Sequence, residues 1–190
     1  MLRMSFAWLF TAGFGVLFVL GYSCGIRLRA EYQLRREPSL LTVAMVWAFY
    51  SIHFLLVLIA AVYSIWPFPL RWSISVGGGT LSIIIGMAIY FASVVAFGSM
   101  KRLSGLDARQ LITSGIYRWS RNPQYVGWML VLVGIALLRT SGMVLLLAAL
   151  YWISFLIYLP LEEQLLERLY GIPYQQYRKT THRYFGPPRL

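Results

Sequence analysis

The stretch QYVGWMLVLVGIALLRTSGMVLLLAALYWISFLIYL, residues 124–159, consists of two apolar runs separated by one arginine and one threonine. Each run approaches the ~20 residues that an α-helix needs to cross a bilayer. A connection as short as Arg139 and Thr140 requires the two helices to lie antiparallel. The sequence therefore predicts a transmembrane helical hairpin whose two free ends lie on the same side of the membrane.

Three further apolar runs precede this hairpin, at residues 5–26, 40–66 and 74–100. Of the 190 residues, 59% are hydrophobic and 12% are charged, whereas an ordinary soluble domain has roughly 25% charged residues. We therefore expect an all-α integral membrane protein with about five transmembrane helices, a C-terminal helical hairpin and amphipathic tail helices in the cytosol. The single cysteine, Cys24, excludes an internal disulfide and a cysteine-based zinc cluster, and we expect no metal site.

The basic residues predict how these helices are oriented. Of the 17 lysines and arginines, 14 fall in the first loop, the third loop and the tail, which are alternate segments of the predicted topology. Positive charge marks the cytosolic side of membrane proteins, so the N-terminus is expected outside and the C-terminus in the cytosol. The net charge of +11 is then explained by contact with anionic lipid head groups, and no nucleic-acid partner is expected.

The first three runs carry little chemistry. Ser75 and Gly79 have the small-xxx-small spacing typical of close helix packing. His53 is the one histidine within a predicted span, and we interpret it as a neutral side chain bonded to a neighbouring helix rather than a functional group. The chain is accordingly divided into an N-terminal three-helix region, residues 1–100, and a C-terminal region, residues 101–190.

The C-terminal region contains an unusual polar segment, GIYRWSRNPQYVGW, at residues 115–128. Asn122 is a favoured N-cap and Pro123 a favoured first helical residue, so the first hairpin helix should begin here. The N-terminus of a helix attracts anions, and Arg118 and Arg121 add positive charge beside it. This segment is therefore a candidate anion-binding site.

A pair of carboxylates, Glu162 and Glu163, follows the second hairpin helix. Unpaired carboxylates at this depth are costly and should seek an arginine or a cationic ligand. Because the free ends of the hairpin lie together, this pair should approach Arg121, Asn122 and Pro123. A site with one cationic and one anionic end suits a zwitterionic cofactor that carries its own positive centre.

Two patterns at this spacing resemble a known family. Residues 100–186 contain G-x-Y-x-x-x-R-[HN]-P-x-Y-x-G, a helical hairpin, then E-E-x-x-L-x-x-x-[FY]-G-x-x-Y-x-x-Y and a terminal arginine. This arrangement closely resembles the membrane methyltransferases typified by isoprenylcysteine carboxyl methyltransferase and the phospholipid N-methyltransferases. The resemblance implies S-adenosylmethionine as methyl donor, held at the cytosolic ends of the hairpin helices. It also implies a lipophilic acceptor that enters from the bilayer, such as a prenylcysteine carboxylate or a phospholipid amine.

The resemblance also implies roles for individual residues. One wall of the cofactor pocket would be formed by Tyr117, Arg121, Asn122, Pro123, Tyr125 and Gly127. The other wall would be formed by Glu162 and Glu163, with Tyr174, Tyr177 and Arg183 closing the pocket from the tail. Among the candidate catalytic residues, Glu163 would contact cofactor or acceptor, Arg121 or Arg183 would hold a carboxylate, and Glu162 or Glu163 would accept a proton from an ammonium acceptor.

One departure from the pattern and two alternatives remain at this point. Many members of the family have histidine where this chain has Asn122, so a role for a titrating imidazole is not available here. A membrane reductase of the sterol-reductase type, which uses a nicotinamide cofactor, bears a related Arg-His-Pro-Asn-Tyr pattern. A non-catalytic lipid-binding membrane protein is the second alternative. The sequence does not indicate the oligomeric state.

Overall fold

The computed structural model describes residues 2–35, 37–107 and 110–188. Three arginines used in the charge distribution, Arg36, Arg109 and Arg189, lie outside the described residues. The helices are α1 (Leu2–Leu34), α2 (Leu40–Val62), α3 (Gly79–Phe97), α4 (Met100–Leu103), α5 (Pro123–Arg139), α6 (Gly142–Tyr170) and α7 (Ile172–Thr180). A π-helical turn, Ile74–Gly78, leads into α3, and a 3-10 turn, Gly115–Arg118, precedes α5.

The predicted all-α integral membrane fold is confirmed. The chain is 78% helical, and its described parts contain no strand. Four helices are long and apolar enough to cross a membrane, namely α1, α2, α6 and α3 together with its π-helical turn, and α5 is a shorter apolar helix. The fold is therefore a bundle of four or five membrane helices.

The first helix is longer than the sequence predicted. It was expected to end before Arg27, but it continues to Leu34, and Arg27 forms an ion pair of 3.2 Å with Glu31 one turn later. This pairing lets the helix carry charges that the prediction treated as its end. The last long helix runs through Pro160 and ends at Tyr170, just before Gly171.

The turn between α5 and α6 closes one end of the bundle, which we call the hairpin end. Thr140 adopts a left-handed backbone conformation with φ of 45°. Arg139 donates hydrogen bonds of 2.7 Å and 3.0 Å to the carbonyl oxygens of Ala61 and Val62, at the C-terminus of α2. These carbonyls have no partner within their own helix, so the arginine both caps α2 and joins it to the hairpin.

Glycines bring α3 into very close contact with α5. Gly79 and Gly86 on α3 face Gly134 and Gly127 on α5, and a Cβ atom at Gly86 would lie 2.6 Å from a backbone oxygen of α5. The hydroxyl of Ser75 donates a 2.9 Å hydrogen bond to a carbonyl of the same helix. The prediction of close packing at Ser75 and Gly79 is confirmed, and the contact extends along most of both helices.

The apolar core lies mainly between α1, α2, α5 and α6. His53 is buried there, and its Nε2 lies 2.9 Å from the carbonyl oxygen of Leu147 on α6. The predicted bond from His53 to a neighbouring helix is therefore confirmed. In contrast, α2 and α3 scarcely touch each other, although both are described throughout and are consecutive long helices.

The opposite end of the bundle, which we call the tail end, gathers the α1–α2 loop, the α3–α5 connection and the C-terminal tail. Arg168 of α6 donates hydrogen bonds to the carbonyl oxygens of Gln33, in the last turn of α1, and Arg35, just after it. An exposed ion pair of 2.8 Å between Arg178 and Glu167 joins α7 to α6. The tail end therefore contains the elements that the sequence assigned to the cofactor site.

Candidate functional site

The start of α5 forms one side of the site. Asn122 occupies the N-cap position and Pro123 the first helical position, as predicted. The side chain of Asn122 does not cap the helix, because its amide nitrogen donates a 3.0 Å hydrogen bond to the carbonyl oxygen of Arg183 in the tail. The amide group therefore joins the helix start to the tail.

Arg121 is a buried cation whose hydrogen-bonding capacity is incompletely used. Its side chain is 9% exposed, and its Nη1 atom lies 3.0 Å from Oε1 of Glu163. Within the described residues neither Nε nor Nη1 has an acceptor in hydrogen-bonding geometry. A buried donor without an acceptor is costly, and it points to a ligand that supplies one.

Glu163 lies between two arginines. Besides Arg121, it accepts hydrogen bonds of 3.2 Å and 2.5 Å from Nε and Nη2 of Arg183, a two-point contact between a guanidinium and a carboxylate. The hydrogen bond to this carboxylate raises the pKa of Arg183 above its usual value. Glu163 is 7% exposed and is thus a buried anion that fixes two cations.

A short stretch of the tail, residues 182–186, runs beside the segment that precedes α5, and we call it the tail strap. The backbone nitrogen of Arg121 donates 2.9 Å to the carbonyl of His182, and the nitrogen of Gly186 donates 2.9 Å to the carbonyl of Trp119. The ring of Phe185 stacks on Trp119 with centroids 6.3 Å apart. The tail strap thus holds the backbone of Arg121 in place.

Two buried tyrosines of α7 complete this side. The hydroxyl of Tyr177 donates a 2.7 Å hydrogen bond to the carbonyl of Tyr117. Burial raises the pKa of Tyr174 to about 12, and the guanidinium of Arg121 lies beside its phenol. Burial also raises the pKa of Tyr117 and Tyr177, so these phenols remain neutral hydrogen-bond donors at neutral pH.

Glu162 differs from its neighbour in sequence. Its Oε1 accepts a 2.9 Å hydrogen bond from the hydroxyl of Tyr125, and no arginine or lysine of the described chain forms an ion pair with it. Because residues 162 and 163 are adjacent on a helix, their side chains point in directions about 100° apart. Glu162 faces a cavity, whereas Glu163 faces the arginines of the tail end.

The cavity has a volume of about 520 Å³. Its polar wall contains Tyr117, Arg121, Asn122, Tyr125, Glu162 and Tyr177. Its remaining wall is largely aromatic and is contributed by Tyr32, Trp47, Tyr50, Phe54, Tyr90, Trp128 and Tyr151, among others. A cavity with apolar walls and a few converging polar groups is typical of a small-molecule site.

Five of the predicted site residues do not line this cavity. Glu163 and Arg183 lie behind Arg121, as the ion pairs show, and Tyr174 lies beneath the same guanidinium. Gly127 lies in the crossing with α3, where an added Cβ would meet the backbone of Tyr90 at 2.7 Å. A packing requirement thus accounts for this glycine. Pro123 is buried at the helix start and is likewise not part of the wall.

Comparison with known proteins identifies the family. A family model described as phospholipid methyltransferase matches residues 74–172, which is more than half of the chain. The chain belongs to the phospholipid methyltransferase family. The matched segment contains α3, the α3–α5 connection, the hairpin and both glutamates, so the family pattern lies in the region that forms the polar wall of the cavity.

Curated relatives include plant proteins named for prenylcysteine methylation. Two proteins of Oryza sativa, subspecies indica and japonica, each called probable protein-S-isoprenylcysteine O-methyltransferase, are 29% identical over 109 residues, 55% of this chain and 57% of theirs. Protein-S-isoprenylcysteine O-methyltransferase A of Arabidopsis thaliana is 27% identical over 139 residues, 69% of this chain and 70% of its own. The match thus covers little more than half of each rice protein. No solved structure matches the chain.

Sequence reasoning missed the contribution of the first two helices to the cavity. Tyr32, Trp47 and Tyr50 line the cavity, although they lie outside the matched segment. Their signal was weak, because an aromatic residue in an apolar helix is most often a packing residue. Only the assembled bundle shows that these three residues line the same cavity as Glu162 of α6.

The residues of the site fit S-adenosylmethionine. Its carboxylate would supply an acceptor for the buried Nε of Arg121, which has none among the described residues. Its positive centre would be compatible with the carboxylate of Glu162 and with aromatic walls, because ring faces attract cations. The polar wall of the cavity thus offers complementary charge to both ends of a zwitterion.

Proposed function

We propose that this chain transfers a methyl group from S-adenosylmethionine to a lipophilic acceptor. The observation that carries the proposal is the cavity whose wall contains both Arg121 and Glu162. Among the described residues, Arg121 is a buried cation with an unused donor and Glu162 has no cationic partner. Membership in the phospholipid methyltransferase family supports the reaction class. The names of the plant relatives support an acceptor attached to a hydrocarbon chain.

Arg121 is the residue proposed to bind the cofactor's carboxylate. A guanidinium and a carboxylate form strong, directional hydrogen bonds. Glu163 and Arg183, which the sequence assigned to direct contact, are instead proposed to position Arg121. Tyr174 and the tail strap hold the same guanidinium and its backbone, so several elements of the tail end converge on one cation.

Glu162 is the residue proposed to act at the acceptor. S-adenosylmethionine supplies an activated methyl group on a sulfonium, and the protein has to place the nucleophile in line with it in a dry pocket. A carboxylate acceptor needs no base, whereas an ammonium acceptor must first lose a proton. Glu162 can take that proton, and Tyr125 orients its carboxylate through the 2.9 Å hydrogen bond.

Two further sequence predictions belong to this proposal. The tail end, with the cofactor site, is proposed to face the cytosol, because basic residues concentrate there. The division into residues 1–100 and 101–190 is proposed to separate acceptor selection from methyl-donor binding. Tyr32 and Tyr50 from the first region and Glu162 from the second line the same cavity, which supports this division of tasks.

The proposal is tested by titrating the purified protein in detergent with S-adenosylhomocysteine by calorimetry, with NADPH titrated in parallel. We expect micromolar binding of S-adenosylhomocysteine alone and loss of that binding in Arg121→Ala. Glu163→Gln should weaken it, since Arg121 would lose the anion that positions it.

The alternatives give different outcomes in the same experiment. Binding of NADPH alone would assign the protein to a reductase and overturn the proposal. Binding of neither compound, by a protein whose circular dichroism and thermal unfolding show that it is folded, would favour a non-catalytic lipid-binding role. If both Glu162→Gln and Arg121→Ala bind S-adenosylhomocysteine as tightly as the wild type and retain full methyl transfer, the site assignment is wrong.

A further inference from the structure

Gln124 lines the cavity from the first turn of α5, directly after Pro123. The family pattern leaves this position open, between the proline and the tyrosine. Oε1 of the side-chain amide accepts a 3.1 Å hydrogen bond from the hydroxyl of Tyr117. No acceptor among the described residues binds the amide nitrogen. Its N–H groups are therefore available to a ligand in the cavity.

The hydroxyl of Tyr117 determines which way this amide points. A free glutamine amide can turn over and exchange the places of its oxygen and nitrogen, but a donor beside it favours the oxygen on that side. Tyr117 is itself well fixed, because its carbonyl accepts the hydrogen bond from Tyr177 and its ring packs edge-on against Phe97, with centroids 5.8 Å apart. The amide of Gln124 thus presents its donor and its second oxygen lone pair in a fixed order.

Apolar side chains line the cavity together with this amide. Phe97 comes from the end of α3, and Leu111 and Ile112 come from the α3–α5 connection. Flat apolar walls with one amide suit a heteroaromatic base, whose faces pack against apolar groups while its edge forms hydrogen bonds. Among such bases, adenine matches a glutamine amide, because its amino group and the neighbouring ring nitrogen form a pair of hydrogen bonds with the amide.

The amide lies close to the residues proposed to hold the rest of the methyl donor. Gln124 follows Arg121 by three residues, and the next residue of α5, Tyr125, donates its hydrogen bond to Glu162. All four side chains line the cavity. The start of α5 therefore offers a cation, an amide and, through Tyr125, a carboxylate within about one helical turn of ~5.4 Å. These three groups are complementary to the carboxylate, the base and the sulfonium of S-adenosylmethionine.

Resting on the proposed methyl transfer, we propose that Gln124 is the residue that recognises the adenine base of the methyl donor. Its Nε2 donates a hydrogen bond to a ring nitrogen of the base, and its Oε1 accepts one from the neighbouring amino group. Tyr117 is a positioning residue, because its hydroxyl keeps the amide from turning over. Hypoxanthine carries a carbonyl oxygen in place of the amino group, so it would place two oxygens opposite each other and bind more weakly.

The test compares the affinities of S-adenosylhomocysteine and S-inosylhomocysteine, in which hypoxanthine replaces adenine, by calorimetry on the whole chain in detergent. We expect the wild type to bind the adenine compound about tenfold or more tightly. Gln124→Met keeps the length of the side chain without its hydrogen bonds, and Tyr117→Phe frees the amide to turn over. Both variants should bring the ratio of the two affinities close to one. Gln176→Met should keep the wild-type ratio, because that glutamine is exposed on α7 and does not line the cavity.

The ratio separates base recognition from a merely structural role, because general damage to the site would weaken both compounds alike. If the wild type binds both compounds equally, or if Gln124→Met keeps the wild-type ratio, Gln124 does not recognise the base, although the proposed methyl transfer stands. If circular dichroism shows that Gln124→Met is unfolded, Tyr117→Phe, which loses only a hydroxyl, decides: a wild-type ratio there overturns the proposal. If the folded wild type binds neither compound, the proposed function itself has failed.

Discussion

The two ends of the bundle use arginines in opposite ways. At the hairpin end, Arg139 donates to two carbonyl oxygens that terminate α2, and its role is complete within the chain. At the tail end, Arg121 is held by Glu163 and by the tail strap, yet its Nε has no acceptor among the described residues. Arg139 therefore stabilises the fold, whereas Arg121 keeps a hydrogen-bond donor that a ligand can use.

Removing the cation at the tail end should have the largest effect on binding. Arg121→Ala leaves the buried carboxylate of Glu163 with one partner fewer and removes the group proposed to hold the cofactor. We expect the affinity for S-adenosylhomocysteine to fall about a hundredfold or more, measured by calorimetry. Arg139→Ala is the matched control, and a comparable loss of affinity in that variant would erase the distinction between the two ends.

The next largest effect is expected at the carboxylate that faces the cavity. Glu162→Gln keeps the shape and the bond to Tyr125 but removes the base, so turnover with an amine acceptor should fall about a hundredfold. Affinity for S-adenosylhomocysteine should change much less. Glu167→Gln, an exposed glutamate of the same helix, serves as control. If the wild type methylates phosphatidylethanolamine vesicles and Glu162→Gln does so at the same rate, Glu162 is not the base in the reaction.

At the hairpin end the expected effect is on stability and not on binding. Arg139→Ala deletes two hydrogen bonds to the C-terminus of α2, which should lower the free energy of unfolding by about 1–3 kcal/mol. Thermal unfolding in detergent measures this change. Arg71→Ala, an exposed arginine of the loop between α2 and α3, should have no such effect. Equal melting temperatures for the two variants would contradict a structural role for Arg139.

The smallest effect is expected from a single hydroxyl at the tail end. Tyr177→Phe removes the 2.7 Å hydrogen bond to the carbonyl of Tyr117 at a cost of about 1 kcal/mol. If that bond fixes the wall of the cavity, affinity for S-adenosylhomocysteine should fall only a few fold. Tyr63→Phe, at an exposed tyrosine near the hairpin end, should leave affinity unchanged, and equal effects would indicate a general loss of stability.

Much of the fold could be predicted from local sequence properties. Apolar run length identified the membrane helices, and the two-residue connection fixed the direction of the hairpin. Helix ends were predicted less well, because a single ion pair between Arg27 and Glu31 allows α1 to continue beyond its first charges. Such compensation depends on a residue one turn away and is not visible in a hydropathy pattern.

The site was predicted in outline, but the orientation of its side chains was not. The motifs brought Arg121 and the glutamate pair to one end of the hairpin, as the structure shows. Which glutamate faces the cavity depends on the rotation of α6 about its axis, and that rotation is fixed by packing against α5, α1 and α2. For the same reason Gly127 lies against α3, and the contribution of Tyr32 and Tyr50 could be recognised only in the folded bundle.

The length of α5 has a consequence for the surrounding membrane. Its 17 residues rise only roughly 25 Å, whereas the hydrocarbon core of a typical bilayer is ~30 Å thick. A helix this short either thins the bilayer around it or leaves its start below the head groups, at a modest cost per ångström of mismatch. Since Arg121 lies two residues before that start, the depth of the proposed cofactor site in the membrane depends on lipid chain length. The rate of the proposed methyl transfer would then vary with the thickness of the host membrane as well as with substrate supply.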